Sequence, residues 1–165
     1  MIDVKETYLT FGDMVPQSVV KMIIIHHVGD LPRDVAAAEI HQWHLDRGWS
    51  GIGYHYVIRR DGSIERGRPE EYIGSHTYGY NTGSIGINLA GNMEIMTPAK
   101  AQIESAAMLI ADVCNRYDLT PDSKTVLGHR DLTSTACPGK NLYEQLQTIR
   151  GKAVWYQHNG SGEEV

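Results

Sequence analysis

Four apolar residues, Met22-Ile23-Ile24-Ile25, run directly into a pair of histidines, His26 and His27. A short run of this kind, β-branched and without polar alternation, must be covered on both faces. It predicts a buried central strand, and such a strand requires further strands beside it and helices against it. The two imidazoles fall at its C-terminal end, which is where open sheets place their ligands.

The rest of the chain supplies those partners. Arg33 to Arg47 reads as a helix stopped by Gly48. Tyr54 to Arg60 is rich in β-formers, and Asp61-Gly62 is a hairpin signal ahead of Ile64. Ser84 to Ala90 reads as another strand, with Gly86 allowing close backbone approach. Thr97-Pro98 is expected to open the clearest helix, with threonine as N-cap and proline at the first helical position. The apolar face of that helix is Ile103, Ala106, Ala107, Ile110, Cys114 and Tyr117. Thr125 to Leu127 reads as a short strand, and Leu142, Leu146 and Ile149 mark a final helix. Strands alternate with helices, while the hairpin makes at least one pair antiparallel. The expectation is an α/β fold, a single domain with a central mixed β-sheet flanked by helices. That domain is placed at residues 1–150 of the 165, a length that buries a core of its own. Residues 151–165, with Gly151, Asn159, Gly160, Ser161 and Gly162, are expected to form a mobile tail.

Composition narrows the function. A net charge of −5 gives no electrostatic reason to bind nucleic acid or an anionic membrane. No stretch approaches the roughly 20 apolar residues of a membrane span. Asp3, Lys5 and Glu6 interrupt the N-terminus, so no export signal is expected and synthesis in the cytoplasm is. Eight histidines against two cysteines exclude a disulfide scaffold and a four-cysteine metal module. They leave room for a mixed site of histidines and one thiolate.

His129 and Cys137 bracket such a site in Gly-His-Arg-Asp-Leu-Thr-Ser-Thr-Ala-Cys-Pro-Gly, a segment of loop character between a strand and a helix. Such a loop can aim two side chains at one point, and His26 or His27 can add a third. Three protein ligands leave one tetrahedral position open, the pattern of a catalytic zinc site. Spacing alone is equally compatible with His129 capping loop backbone and Cys137 as a small buried residue. Cys114 falls on the apolar helix face and reads as core. A Cys114–Cys137 disulfide is disfavoured without an export signal.

The ordered motifs carry a resemblance. Ile-Ile-Ile-His-His is followed by Gln42-Trp43-His44, Gly48-Trp49, Gly53-Tyr54-His55-Tyr56, Arg60-Asp61-Gly62 and Gly74-Ser75-His76. Asn81, Ser84-Ile85-Gly86-Ile87, Gly128-His129-Arg130-Asp131 and Ala136-Cys137-Pro138-Gly139 complete the series. From about Met22 to Leu146 the chain resembles the zinc-dependent N-acetylmuramoyl-L-alanine amidases, which include phage lysozyme-type endolysins and peptidoglycan recognition proteins. Within that family the compact chain is most like the endolysins. The resemblance implies an amidase-like catalytic domain and a zinc ion on His26, His129 and Cys137. It is the resemblance that selects His26 over His27, whose side chain should point to the other face of the strand. It implies a catalytic Tyr54, which would hydrogen-bond the attacking water or the substrate carbonyl, and places His76 near the cleft to bind substrate or polarise the carbonyl. Thr135 occupies a position where phage relatives often carry lysine; it can donate only a neutral, weaker hydrogen bond to a developing oxyanion.

The implied reaction is hydrolysis of the amide between N-acetylmuramic acid and L-alanine in bacterial peptidoglycan, by a monomer that reaches the wall through a holin-type pore. The alternative is a non-catalytic peptidoglycan-binding module; the presence of all three candidate ligands favours the enzyme. The other histidines read as structural: His41 and His44 on a packing face, His55 opposite Tyr54 on its strand, and His158 in the tail. Asn81 reads as ordering the loop before Ser84. Asp131 either orients His129 or caps the loop backbone.

Overall fold

The computed structural model describes residues 2–160. Six strands form one sheet among the described residues: β1 (Val4–Lys5), β2 (Met22–His27), β3 (Tyr56–Ile58), β4 (Ile64–Arg66), β5 (Ser84–Leu89) and β6 (Val126–Gly128). Their spatial order is β1-β4-β3-β5-β2-β6. The strand expected at the centre of the sheet, β2, lies between β5 and β6 and pairs parallel with both. Only the hairpin pair β3–β4 is antiparallel, so the sheet is mixed, as the Asp61-Gly62 signal requires.

Helices cover both faces: α1 (Ala37–Asp46) on one, α2 (Lys100–Tyr117), α3 (Lys140–Tyr143) and α4 (Leu146–Asn159) on the other. Ile23, Ile24 and Ile25 are all at 0% exposure, each burial worth about 1.5–3 kcal/mol. Ile23 and Ile25 pack with Ala106, Ile110 and Ile149 beneath α2 and α4. The opposite face is closed by Val35, Ala37, Ile40 and Ile52 over Val57 and Ala90. Strand alternation carries the parity of Ile24 to His26, which therefore projects on the α1 side. His27 turns to the other side, where its Nδ1 accepts the Met93 N–H at 3.0 Å.

Three boundaries differ from expectation. The first helix begins at Ala37, not Arg33, because Asp34 is spent on Arg59 and the Arg60 N–H while Glu39 caps the Ala36 N–H; it ends as expected, ahead of Gly48 at φ +85°. Thr97 and Pro98 lie outside α2. The N-cap is Ala99, whose N–H is taken by the Gln102 side chain, while the Thr97 carbonyl accepts from Arg60. The expected final helix is two helices, and the boundary placed at residue 150 falls inside α4. Leu146, Ile149, Ala153 and Tyr156 continue one stripe, with Ala153 fully buried, and Lys152 and Tyr156 both bond Glu104 on α2. Of the expected tail, Gly151 through Asn159 is helical, His158 is exposed on the last turn and Gly160 is the C-cap; Ser161 and Gly162 lie outside the described residues.

Candidate metal centre

The parallel pairing of β2 with β6 builds the centre. Ile25 is registered with Gly128, so the residues that follow, His26 and His129, stand side by side with ring centroids 4.7 Å apart. His129 opens a single 3-10 turn, His129–Asp131. Asp131 fixes that turn by accepting from the Gly128 N–H and the Tyr143 hydroxyl, which is the capping reading of this residue. The loop then doubles back: the Arg130 N–H donates to the Cys137 carbonyl at 2.9 Å. That closure brings Cys137 Sγ to 3.5 Å from His26 Nδ1. The donor atoms of His26, His129 and Cys137 all lie within 4.8 Å of one another.

Three observations test whether these donors suit a cation. His129 Nδ1 is buried and has no hydrogen-bond partner in the protein. Burial, with the neighbouring His76, His129 and His27, holds the pKa of His26 well below the ordinary range, and burial lowers that of His129. Both rings are therefore neutral, as ligands must be. Burial also pushes the Cys137 thiol up to about 12, with the His27 amide and Arg130 opposing it only in part. A divalent cation supplies the positive charge such a thiol needs to ionise. Two imidazoles and a thiolate are borderline-soft donors suited to a tetrahedral site. Cys114, by contrast, is fully buried in the core, and both thiols are free.

The other expected residues gather around this cluster with different contacts. Tyr54 lies just before β3, its ring 5.0 Å from that of His26. Burial and the Cys137 charge push its phenol upward, against the Asn88 amide and Arg47, so it stays protonated at neutral pH. The segment carrying it is pinned from α1: His41 Nδ1 accepts the Ile52 N–H and His44 Nδ1 the Gly53 N–H. Both helix histidines thus hold backbone, as does His55, whose Nδ1 accepts from Gly86 while its Nε2 meets the Tyr72 carbonyl.

His76 Nδ1 sits 3.0 Å from His26 Nε2 and 2.9 Å from the Thr77 hydroxyl, and its Nε2 lies 3.3 Å from Ser84 Oγ. Gly86 makes room for the ring, since a Cβ there would fall 2.7 Å from it. Asn81 orders this loop by accepting the His76 and Thr77 N–H groups. Thr135 lies in the loop before the cysteine, its hydroxyl accepting from the Cys137 N–H at 3.3 Å.

A groove of about 300 Å³ borders the cluster, lined by Arg47, Trp49, Tyr54, His76 and Tyr78 among others. A roomier pocket of about 670 Å³ lies on the α2 side against Tyr56, Glu70 and Arg116, away from these donors. Two neighbours escape the sequence reading: Thr77, whose hydroxyl is 3.3 Å from His26 Nε2, and Asn88, registered directly opposite His26. The signal for Asn88 is present, since Ser84, Gly86 and Asn88 share one face of a strand that is otherwise isoleucine and leucine.

Comparisons with known proteins bear on the family and the fold. The sequence profile of a family described as N-acetylmuramoyl-L-alanine amidase matches residues 16–140. The endolysin of Enterobacteria phage T3 is 35% identical over 135 residues, 77% of this chain and 85% of that one. The endolysin of Escherichia phage T7 is 35% identical over 128 residues, 73% of this chain and 81% of that one. Among solved structures, N-acetylmuramoyl-L-alanine amidase LysC from Clostridium intestinale superposes with a TM-score of 0.81 at 34% identity, covering 90% of this chain and 97% of that one.

Proposed function

The chain belongs to the N-acetylmuramoyl-L-alanine amidase family, and we propose that it performs the hydrolysis with a zinc ion held by His26, His129 and Cys137. It is an enzyme of the endolysin type, cutting the amide between N-acetylmuramic acid and L-alanine in peptidoglycan. The observation that carries the zinc assignment is the convergence of three donors, one of them an orphaned buried nitrogen, beside an open groove. When bound there, zinc supplies Lewis acidity, polarising the scissile carbonyl and making water acidic enough to attack it.

The chain's own groups do the rest. With His26 Nδ1 turned to Cys137, its Nε2–H donates to His76 Nδ1. His76 Nε2–H then donates to Ser84 Oγ, whose own proton goes to the Tyr80 carbonyl. This order gives His26, His76 and Ser84 each a partner and sets the tautomer of His26. Both ring nitrogens of His76 are engaged by protein, so its role is positioning. Tyr54, protonated, donates a hydrogen bond to the carbonyl oxygen as it gains negative charge. Thr135 accepts from the Cys137 N–H and keeps its own proton free for the same oxygen.

Its substrate is bacterial peptidoglycan and its place of action the cell wall; among the described residues no helix is long and apolar enough to cross a membrane. The reading adds that the protein works as a monomer without nucleic acid, is made in the host cytoplasm and reaches the wall through a holin-type pore. Mass analysis of digested, purified peptidoglycan tests the core of it. New L-alanine amino termini should appear, vanish with a chelator and return with zinc. Wall binding without new termini would make this a recognition module, and full activity in metal-free protein would remove the zinc.

A further inference from the structure

We propose that Arg130 is a positioning residue for the metal centre: its side chain clamps the loop from His129 to Cys137 and so fixes where the thiol stands relative to His26. The proposal rests on the zinc reading given above. Two of the three donors sit at the two ends of this loop. His129 follows directly from β6, so the sheet places it. Cys137 comes only after the loop has doubled back. Every residue from Asp131 to Ala136 is exposed or half-buried, and none belongs to the core. Apolar packing within the loop therefore does not locate its far end, and polar contacts must.

Arg130 holds the cysteine from both sides. Its backbone N–H donates to the carbonyl of Cys137 at 2.9 Å, and its Nη2 donates to the carbonyl of Ala136 at 2.5 Å. The peptide groups before and after Cys137 are thus bound by one residue. The N–H of the first is taken by Thr135 Oγ1 at 3.3 Å. The guanidinium is itself held. Its carbon lies 4.7 Å from the centroid of the Tyr143 ring, on α3, and Nη2 also meets Glu94 Oε1 at 3.3 Å. Tyr143 is tethered in turn through Asp131 to the Gly128 N–H. Arg130 Nε is buried without a partner, so the group keeps this pose at the cost of one unmade hydrogen bond. A planar cation that donates from its edge and stacks on its face is what arginine offers and lysine does not.

Two variants separate this role from charge and from plain stability. Arg130→Lys keeps the positive charge but loses the flat fork; Arg130→Met loses both. Titration against a competing chelator should show zinc affinity about 10- to 100-fold weaker than wild type in each. Cobalt(II) in place of zinc gives a second readout, because its thiolate-to-metal absorption band reports the bond to Cys137. That band should weaken or shift in both variants. Melting of the metal-free proteins should change little, since the Arg130–Glu94 pair is partly exposed and screened. Wild-type zinc affinity in Arg130→Lys overturns the proposal, because charge alone would then suffice. A lower melting temperature with the cobalt band unmoved overturns it as well, leaving Arg130 a structural part only. The Lys variant carries the test alone if the Met variant fails to fold. A wild-type protein that takes up neither zinc nor cobalt would instead overturn the metal reading itself.

Discussion

His76 stands directly behind His26, its Nδ1 3.0 Å from His26 Nε2, on the edge of the ring opposite the one facing Cys137. One imidazole thus holds the other by the nitrogen turned away from Cys137. The arrangement depends on the bare backbone of Gly86, over which the His76 ring lies.

Gly86→Ala should therefore disturb the metal site without touching a ligand. A Cβ at 2.7 Å from the His76 ring forces that ring to move. Overpacking of this kind costs about 1–3 kcal/mol, and losing an outer partner of a ligating histidine weakens metal binding about 10- to 100-fold. Thermal melting and zinc titration measure the two effects. Wild-type zinc affinity in this variant would show that His76 does not support His26.

Cys137→Ser should abolish stable zinc binding, because a neutral hydroxyl replaces the one anionic ligand of the set. Metal content after dialysis is the readout. Since Cys137 is half-buried, with its Sγ beside His26 rather than in the main core, the melting temperature of the metal-free protein should change little. Zinc content equal to wild type would strike Cys137 from the site.

Glu70 should give the fold an acid-sensitive anchor far from the reaction. Burial alone would raise its carboxyl, but Arg116 at 2.6 and 2.8 Å and the phenols of Tyr56 and Tyr117 outweigh burial and hold it below the usual range. A lowered carboxylate stabilises the fold above the unfolded value near 4.3, and that contribution is lost as pH falls through the folded value. Arg116 is 41% exposed, so solvent screens the pair; Glu70→Gln should cost about 1–2 kcal/mol at pH 7. The gap between variant and wild type should close as the pH drops below about 4. Melting curves against pH decide this, and a gap independent of pH would refute it.

Truncation after Arg150 should destabilise the whole domain. It removes the buried Ala153 and both side chains that bond Glu104. A loss of at least about 2 kcal/mol is expected, or roughly 4–8 °C in melting temperature. An unchanged melting temperature would mean that this half of α4 contributes nothing to the core.

Much of this was legible in the residues. The Ile23–Ile25 run names the central strand because nothing but a two-sided cover satisfies it, and Asp61-Gly62 names the one antiparallel pair. The three metal-site donors come from motif resemblance, since no spacing rule distinguishes His26 from His27. What escaped has physical causes. The α2 start moved because Gln102, rather than Thr97, reaches the free N–H groups. The α4 extension was hidden by Gly151, whose helix-breaking tendency is overridden by packing of Ala153 and Tyr156 on α2. The contact between His76 and His26 escaped because the two lie 50 residues apart in sequence, a relation only the sheet creates. Asn88 carried a signal in strand parity, but its meaning depends on the strand beside it.

The order in which the sheet is filled also sets a clock. Cys137 follows His26 by 111 residues, and a ribosome adding about 5–20 residues per second separates them by roughly 6–20 s. β2 cannot take its place until both of its flanking strands, one of them made just before His129, have been synthesised. Every nascent chain that stops short of Cys137 thus lacks one of the three donors, and the set is complete only once residues 26 and 137 have both been made.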